Sequence, residues 1–297
     1  MTERRLQTLI DTMRVPVEGD PEIALLSVGE RTPVTIGCDV LVVGGGTGGV
    51  AAALAAARNG CQVCLLEETD WVGGQFTSQG VSALDEHAHI ERFGGTASYY
   101  HLRNALRDIY RKRAIQVAKD IPFNPGNCWV TNLAFEPSVA VDLLDQLLAD
   151  SGKISVYRRT KVAAASTVND FVEWVEAVSL VNGDCWRFRP RFVLDATELG
   201  DLLPLTGADH RVGAETIHET GEPHAQPNEH RRHCVQSFTY TFALERRPRD
   251  ESHLVPKPSG YEHFRKSQPY GLSIEVHGGE IYGEESGNLA YTRYSNR

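Results

Sequence analysis

The sequence predicts an α/β fold: a parallel sheet with flanking helices, a β-meander beside it, and a partial second domain after it. Three observations carry this expectation. The apolar run Asp39–Val43 passes through Gly44-Gly-Gly-Thr-Gly-Gly49 into an alanine-rich stretch, the order of a buried strand, a tight turn and a helix. Val63–Leu66 then reads as a second buried strand, closed by Glu67. Short β-branched runs follow between Ile154 and Phe188, and Arg191–Asp195 reads as one more buried strand.

Taken in order, residues 1–37 form a polar, Pro-punctuated lead-in, read as a short helix and an edge strand. The nucleotide unit starts at Cys38. Its helix runs from about Thr47 to Arg58, with Asn59-Gly60 as the left-handed stop. Residues 71–96 make a glycine-rich connection that is too long for an ordinary loop and so reads as functional. Helical periodicity from Tyr99 to about Ala118 puts Tyr99, Leu102, Leu106, Ile109 and Tyr110 on one side. Arg103, Arg107, Arg111, Lys112 and Arg113 of the same stretch read as a solvated face rather than a nucleic-acid contact. A second helix starts at Pro137, a favoured first-turn residue, buries Val139, Leu143, Leu144, Leu147 and Leu148, and stops at Gly152.

Strand-like runs follow at Ile154–Tyr157, Val162–Val168, Phe171–Leu180 and Trp186–Phe188, with Asn182-Gly183 as a hairpin turn. Residues 207–233 are polar and carry His210, His218, His224, His230 and His233. Cys234–Leu244 reads as a strand, and Arg246 onward as loop. The expected organisation is a lead-in over 1–37, a nucleotide-binding domain over 38–206 with a helical insertion at about 97–150, and a partial substrate domain over 207–297.

Gly44, Gly46 and Gly49 match the G-x-G-x-x-G fingerprint between a strand and a helix, the context of a Rossmann-like dinucleotide site. The first glycine permits the turn, the second admits the pyrophosphate to the backbone, and the third lets helix and strand pack closely. The helix start offers free N–H groups and a positive dipole end to phosphate. Glu67 follows at about the 20-residue spacing of a carboxylate that accepts from a ribose hydroxyl. The same charge disfavours a 2′-phosphate.

Composition bounds the remaining classes. The chain has 297 residues, 41% hydrophobic and 23% charged, as an ordinary globular protein has. A formal charge of −9 argues against nucleic acid or an anionic membrane as the partner. No apolar run approaches the roughly 20 residues that span a bilayer, and Met1–Asp11 lacks the apolar core of a secretory signal, so a cytoplasmic address is expected. Cys38, Cys61, Cys64, Cys128, Cys185 and Cys234 have no metal-ligand spacing and read as buried, inert thiols. Cys61 and Cys64 would point to opposite faces of one strand. No metal is expected.

Three segments carry a family resemblance: Val43-Gly-Gly-Gly-Thr-Gly-Gly-Val50 with Glu67, Trp71-Val-Gly-Gly-Gln75, and Asp195-Ala-Thr-Glu-Leu-Gly-Asp201. With the meander they resemble the glutathione-reductase-like class of FAD-binding flavoproteins. More narrowly, the chain is similar to the bacterial FAD-dependent oxidoreductase family whose second motif reads Asp-Ala-Thr-x-x-Gly-Asp, related to the flavin subunit of heterodisulfide reductases. The likeness covers roughly residues 38–245.

The resemblance implies FAD, held non-covalently across the carboxyl ends of the sheet. Gly44, Gly46 and Gly49 would then face the pyrophosphate, and Glu67 the adenosine ribose. Gly73 and Gly74 would pass the phosphate–ribityl region. Val162 would lie in the strand that contacts adenine, and Ala196 and Thr197 would line the middle of the cofactor. Asp201 belongs to the same motif. Some relatives hold iron–sulfur clusters through clustered cysteines, which this chain lacks. Such proteins also continue further than this chain, which is therefore expected to be C-terminally truncated.

The expected activity is flavin-mediated transfer of hydride or electrons from a small-molecule substrate to an acceptor that the sequence does not identify. His87 and His89, in Asp85-Glu-His-Ala-His89 of the long connection, are the candidate acid–base residues. Two alternatives stay open: a catalytically silent dinucleotide-binding fragment, and a dehydrogenase that uses NAD alone. The Asp195–Asp201 motif argues against the second.

Overall fold

The computed structural model describes residues 5–10, 12–16, 23–28, 32–113, 123–126, 128, 131–236, 241, 256–257 and 259–263. Along the chain its elements are β1 (Arg5–Leu9), β2 (Thr12–Pro16), β3 (Ile23–Ser27), β4 (Val34–Val43), α1 (Thr47–Arg58), β5 (Val63–Leu66), α2 (Ala97–Arg113), α3 (Pro137–Asp150), β6 (Ile154–Tyr157), β7 (Thr160–Val168), β8 (Phe171–Ser179), β9 (Cys185–Asp195), α4 (Leu202–Thr206) and α5 (Ile217–Thr220). Two compact units result. One holds Met1–Gln79 with Pro137–Tyr240, the other Gly80–Glu136 with Thr241–Arg297.

The first unit is built on a seven-stranded sheet in the order β1-β7-β8-β9-β4-β5-β6. β9, β4, β5 and β6 run parallel, while β7, β8 and β9 form an antiparallel meander. All four residues of β5 are buried, because a parallel strand is covered on both faces and so reads as an unbroken apolar run. α1 packs through Gly49, Val50, Ala53 and Ala57, whose small side chains let the helix lie close to the sheet. α3 buries Val139, Leu143, Leu144 and Leu148 at helical spacing. Leu41, Val43, Cys64, Leu66, Val162, Val175 and Phe188 form the centre of the core.

Several expectations are corrected. The lead-in holds no helix among its described residues. β1 instead pairs antiparallel with β7 at the end of the sheet, where an uncovered edge would expose unpaired backbone, and β2 and β3 form a separate hairpin. β4 begins before Cys38, at Val34, since Val34–Ile36 pair with Trp186–Phe188. The expected runs Trp186–Phe188 and Arg191–Asp195 are one strand that passes through Pro190, and the second of them, expected to be buried, is largely exposed, Phe192 at 64%. β8 pairs with β9 only as far as Phe188, so the N–H that Pro190 lacks deprives no β8 carbonyl of a partner. The expected strand at Cys234–Leu244 falls largely outside the described residues, and 234–236 are not extended into one.

In the second unit α2 ends at Arg113, with 114–118 outside the described residues. Its expected solvated basic face is half wrong: Arg103 and Arg107 are buried, Arg103 at 1% exposure. Arg103 donates Nε and Nη2 to the two carboxylate oxygens of Glu86, at 2.6 and 2.9 Å. Arg107 donates Nη1 and Nη2 to those of Glu91, at 2.9 and 2.6 Å. Tyr99 Oη and Thr131 Oγ1 also donate to Glu86, and Arg107 Nε donates to the Phe123 carbonyl. Buried guanidinium groups are tolerated because each donor meets an acceptor. Burial alone would push the Glu91 pKa up, but the Arg107 and Arg103 guanidinium groups outweigh it and bring it to about 2.

The cysteines also differ from expectation. All are free thiols, but only Cys64 and Cys128 are buried, and Cys234 is exposed. Cys61 precedes β5, so the opposite-face reasoning does not apply to it. Among the described residues, no helix is long and apolar enough to cross a membrane.

Candidate functional site

The site lies at the carboxyl ends of β4, β5 and β9 in the first unit. Gly44 takes φ +98°, and a Cβ there would stand 2.3 Å from the Ala196 carbonyl oxygen. The turn can therefore form only with glycine at this position. Its N–H donates to the Leu66 carbonyl at 3.0 Å, and Ala196 N–H donates to the Val43 carbonyl at 2.7 Å. Gly46 is the N-cap of α1, with no side-chain cap and no acidic residue in the first turn. The first-turn N–H groups thus receive no side-chain cap, and the positive end of the helix dipole favours an anion.

The segment after Trp71 braces this turn. Gly73 N–H donates to the Gly45 carbonyl at 2.8 Å, and Thr47 Oγ1 donates to the Gly73 carbonyl at 3.0 Å. Gly74 comes so close that a Cβ on it would lie 3.0 Å from Gly46 Cα. Opposite stands Glu67, 6% exposed. Its Oε2 accepts from Gly45 N–H at 3.0 Å and its Oε1 from Thr69 N–H at 2.8 Å. Burial raises its pKa above the usual carboxylate value, against the opposing pull of the Thr69 side chain and those N–H groups. Each carboxylate oxygen keeps a lone pair for a ligand hydroxyl.

The second motif ties itself into a loop. Asp195 Oδ1 accepts from the N–H and hydroxyl of Thr197, and its Oδ2 accepts from Leu202 N–H. Thr197 Oγ1 accepts from Asp201 N–H at 2.7 Å. These bonds give Asp195 and Thr197 their roles: the Asp195 carboxylate stands in for backbone acceptors and holds the loop against the glycine turn. Lys161 pairs with Glu68 and lies 3.7 Å from Asp201 Oδ2. Burial lowers its pKa, but the two carboxylates carry it above the usual value.

A cavity of about 290 Å³ opens between these elements, and Gly44, Gly46, Glu67, Gly74, Val162, Ala196, Thr197 and Asp201 line it. The expected cofactor residues thus converge, from four separate stretches of sequence. Gly49 and Gly73 act behind the wall. A Cβ on Gly49 would stand 1.8 Å from the Gly44 carbonyl oxygen, and Gly73 forms the bridge to Gly46. Sequence reasoning missed three charged lining residues, Glu68, Lys161 and Glu198. The first two adjoin Glu67 and Val162. Glu198 falls at an unspecified position of Asp-Ala-Thr-x-x-Gly-Asp and has no sequence signal of its own.

His87 and His89 belong to the second unit, and both are exposed. His87 Nδ1 accepts from His89 N–H at 3.1 Å, and the His89 ring stacks on Phe93 with centroids 5.3 Å apart. Of the polar histidines, His230 Nε2 lies 2.7 Å from the Val212 carbonyl oxygen. Among the described residues no group of three or more His, Cys, Asp or Glu could hold a metal ion.

The sequence matches the model of a family described as FAD dependent oxidoreductase, over residues 39–288. The chain belongs to that family. FAD is its cofactor, and the residues present fit it: an uncapped helix start, a glycine cradle that any Cβ would fill, and a carboxylate with lone pairs to spare. No curated protein matches.

Similar solved structures include the L-proline dehydrogenase from P. horikoshii, at 16% identity and TM-score 0.32, over 57% of this chain and 24% of that one. A geranylgeranyl bacteriochlorophyll reductase-like protein from Thermoplasma acidophilum matches at 18% identity and TM-score 0.35, over 55% of this chain and 40% of that one. The glycerol-3-phosphate dehydrogenase from Bacillus halodurans, complexed with FAD, matches at 16% identity and TM-score 0.39, over 58% of this chain and 37% of that one. The chain therefore matches less than half the length of each of these proteins.

Proposed function

We propose that the chain binds FAD in the cavity at the carboxyl ends of β4, β5 and β9 and works as an oxidoreductase on a small-molecule substrate, with a separate acceptor reoxidising the flavin. The observation that carries this is the convergence of the glycine turn, Glu67 and the Asp195–Asp201 loop on one cavity. In this reading the N–H groups at the start of α1 hold the pyrophosphate. Glu67 accepts from the adenosine ribose, Val162 lies beside adenine, and Ala196, Thr197 and Gly74 run along the middle of the cofactor. FAD supplies the redox chemistry when bound; the protein orients it and limits its contact with water. His87 and His89 are the candidates for proton transfer.

The Asp-Ala-Thr-x-x-Gly-Asp motif further supports kinship with the flavin subunit of heterodisulfide reductases, and with it a cofactor domain over 38–206 followed by substrate-domain residues. Neither nucleic acid nor membrane has a place in this reading. The deciding experiment is the visible absorption spectrum of the purified chain, with heat release of the bound ligand. Release of FAD near one per chain supports the reading. A colourless protein that takes up no added FAD sinks it.

A further inference from the structure

One side chain in the cavity opposes the ligand that the cavity is shaped for. Glu198 projects over the glycine cradle, so that a Cβ on Gly46 would lie 2.9 Å from its Oε1 and a Cβ on Gly74 3.0 Å from the same atom. Its carboxylate therefore fills the space that the two missing side chains leave open at the start of α1. Glu67, Glu68 and Asp201 also line the cavity, and Lys161, already paired with two of these, is the cation among the described lining residues. A phosphate that approaches the N-cap of α1 must displace Glu198 and then remain near its charge. Glu198 is exposed and no hydrogen bond to a described residue holds its carboxylate, so it can swing aside.

We propose that Glu198 is a specificity residue, which penalises nucleotides at this site in proportion to their negative charge and so favours FAD over ADP. The two ligands share adenosine and a diphosphate, but the exposed terminal phosphate of ADP carries one more negative charge. A further unit charge about 6 Å away in water-like surroundings is worth about threefold in affinity. This rests on the proposal that FAD occupies the cavity.

The test is titration of the flavin-free chain and of Glu198→Gln with FAD, followed by flavin fluorescence, and with ADP by competition, at low and high salt. Both ligands should bind Glu198→Gln more tightly. The gain should be about threefold larger for ADP and should shrink at high salt, where the charges are screened. Weaker FAD binding by the variant would make Glu198 a ligand of the bound cofactor and overturn the proposal. So would an unchanged ADP-to-FAD preference. Failure of the unaltered chain to bind FAD at all overturns the proposed function and this inference with it, whereas FAD binding with an unmoved preference overturns this inference alone.

Discussion

A Cβ on Gly49 would stand 1.8 Å from the Gly44 carbonyl oxygen, and one on Gly44 would meet the Ala196 carbonyl at 2.3 Å with φ at +98°. Both obstacles are backbone, which cannot rotate out of the way. Gly44→Ala should cost about 1–3 kcal/mol through φ strain alone, and Gly49→Ala about 1–3 kcal/mol through overpacking. Urea midpoints read the loss, and both variants should purify without visible flavin absorbance. Glu67→Ala leaves the N–H groups of Gly45 and Thr69 without their acceptor. It should cost about 1–3 kcal/mol of stability and weaken FAD binding at least about tenfold, measured by flavin fluorescence titration. These residues were legible in the sequence because backbone geometry dictates their identity: only glycine fits the turn, and only an acid at the end of β5 can accept from both sides. Glu198 was not legible, since its place depends on how a loop far along the chain folds back against that turn.

At the scale of elements, β5 was readable as an apolar run and α2 as a helix, while β9, largely exposed beyond Phe188, and the buried arginines of α2 were not. Those arginines follow the same periodicity whether they face water or a pair of carboxylates, and those carboxylates, Glu86 and Glu91, lie in a connection whose path the sequence does not announce. The difference is measurable. Arg103→Met leaves the buried Glu86 carboxylate without its guanidinium and should cost about 3–5 kcal/mol. Arg111→Ala, which breaks an exposed pair with Asp108, should stay within about 0.5 kcal/mol. Thermal or urea unfolding separates the two, and equal small effects would refute the buried network.

The network also fixes a pH dependence. The folded-state pKa of Glu91 lies near 2, below the unfolded value of about 4.3, so folding releases its proton. Its stabilisation is complete above the unfolded value and is lost as pH falls from about 4.3 toward 2. Burial opposes ionisation of Glu86 too, yet Arg103, Tyr99 and Thr131 hold its pKa below the usual range, which adds to the same acid loss. Arg103→Met should flatten the stability profile in that window.

For the whole molecule, the cavity residues all belong to the unit of Met1–Gln79 with Pro137–Tyr240, while α2 and its ion pairs belong to the other. A ligand that binds only the folded state stabilises it by about 2.7 kcal/mol at a hundred times its Kd, and hydrogen exchange reveals where that stabilisation acts. With saturating FAD, amide protection should rise at residues 43–49, 66–79, 160–162 and 195–202, the segments that form the cradle and the cavity wall. Amides of α2 should keep their free-protein rates. The candidate acid–base pair can be judged in the same experiment. His87 and His89 sit in a turn where, among the described residues, their rings contact each other and Phe93, so slower exchange at 85–92 would point to the bound flavin reaching them. Exchange unchanged there, with the cradle protected, would retire both histidines while leaving the cofactor site intact.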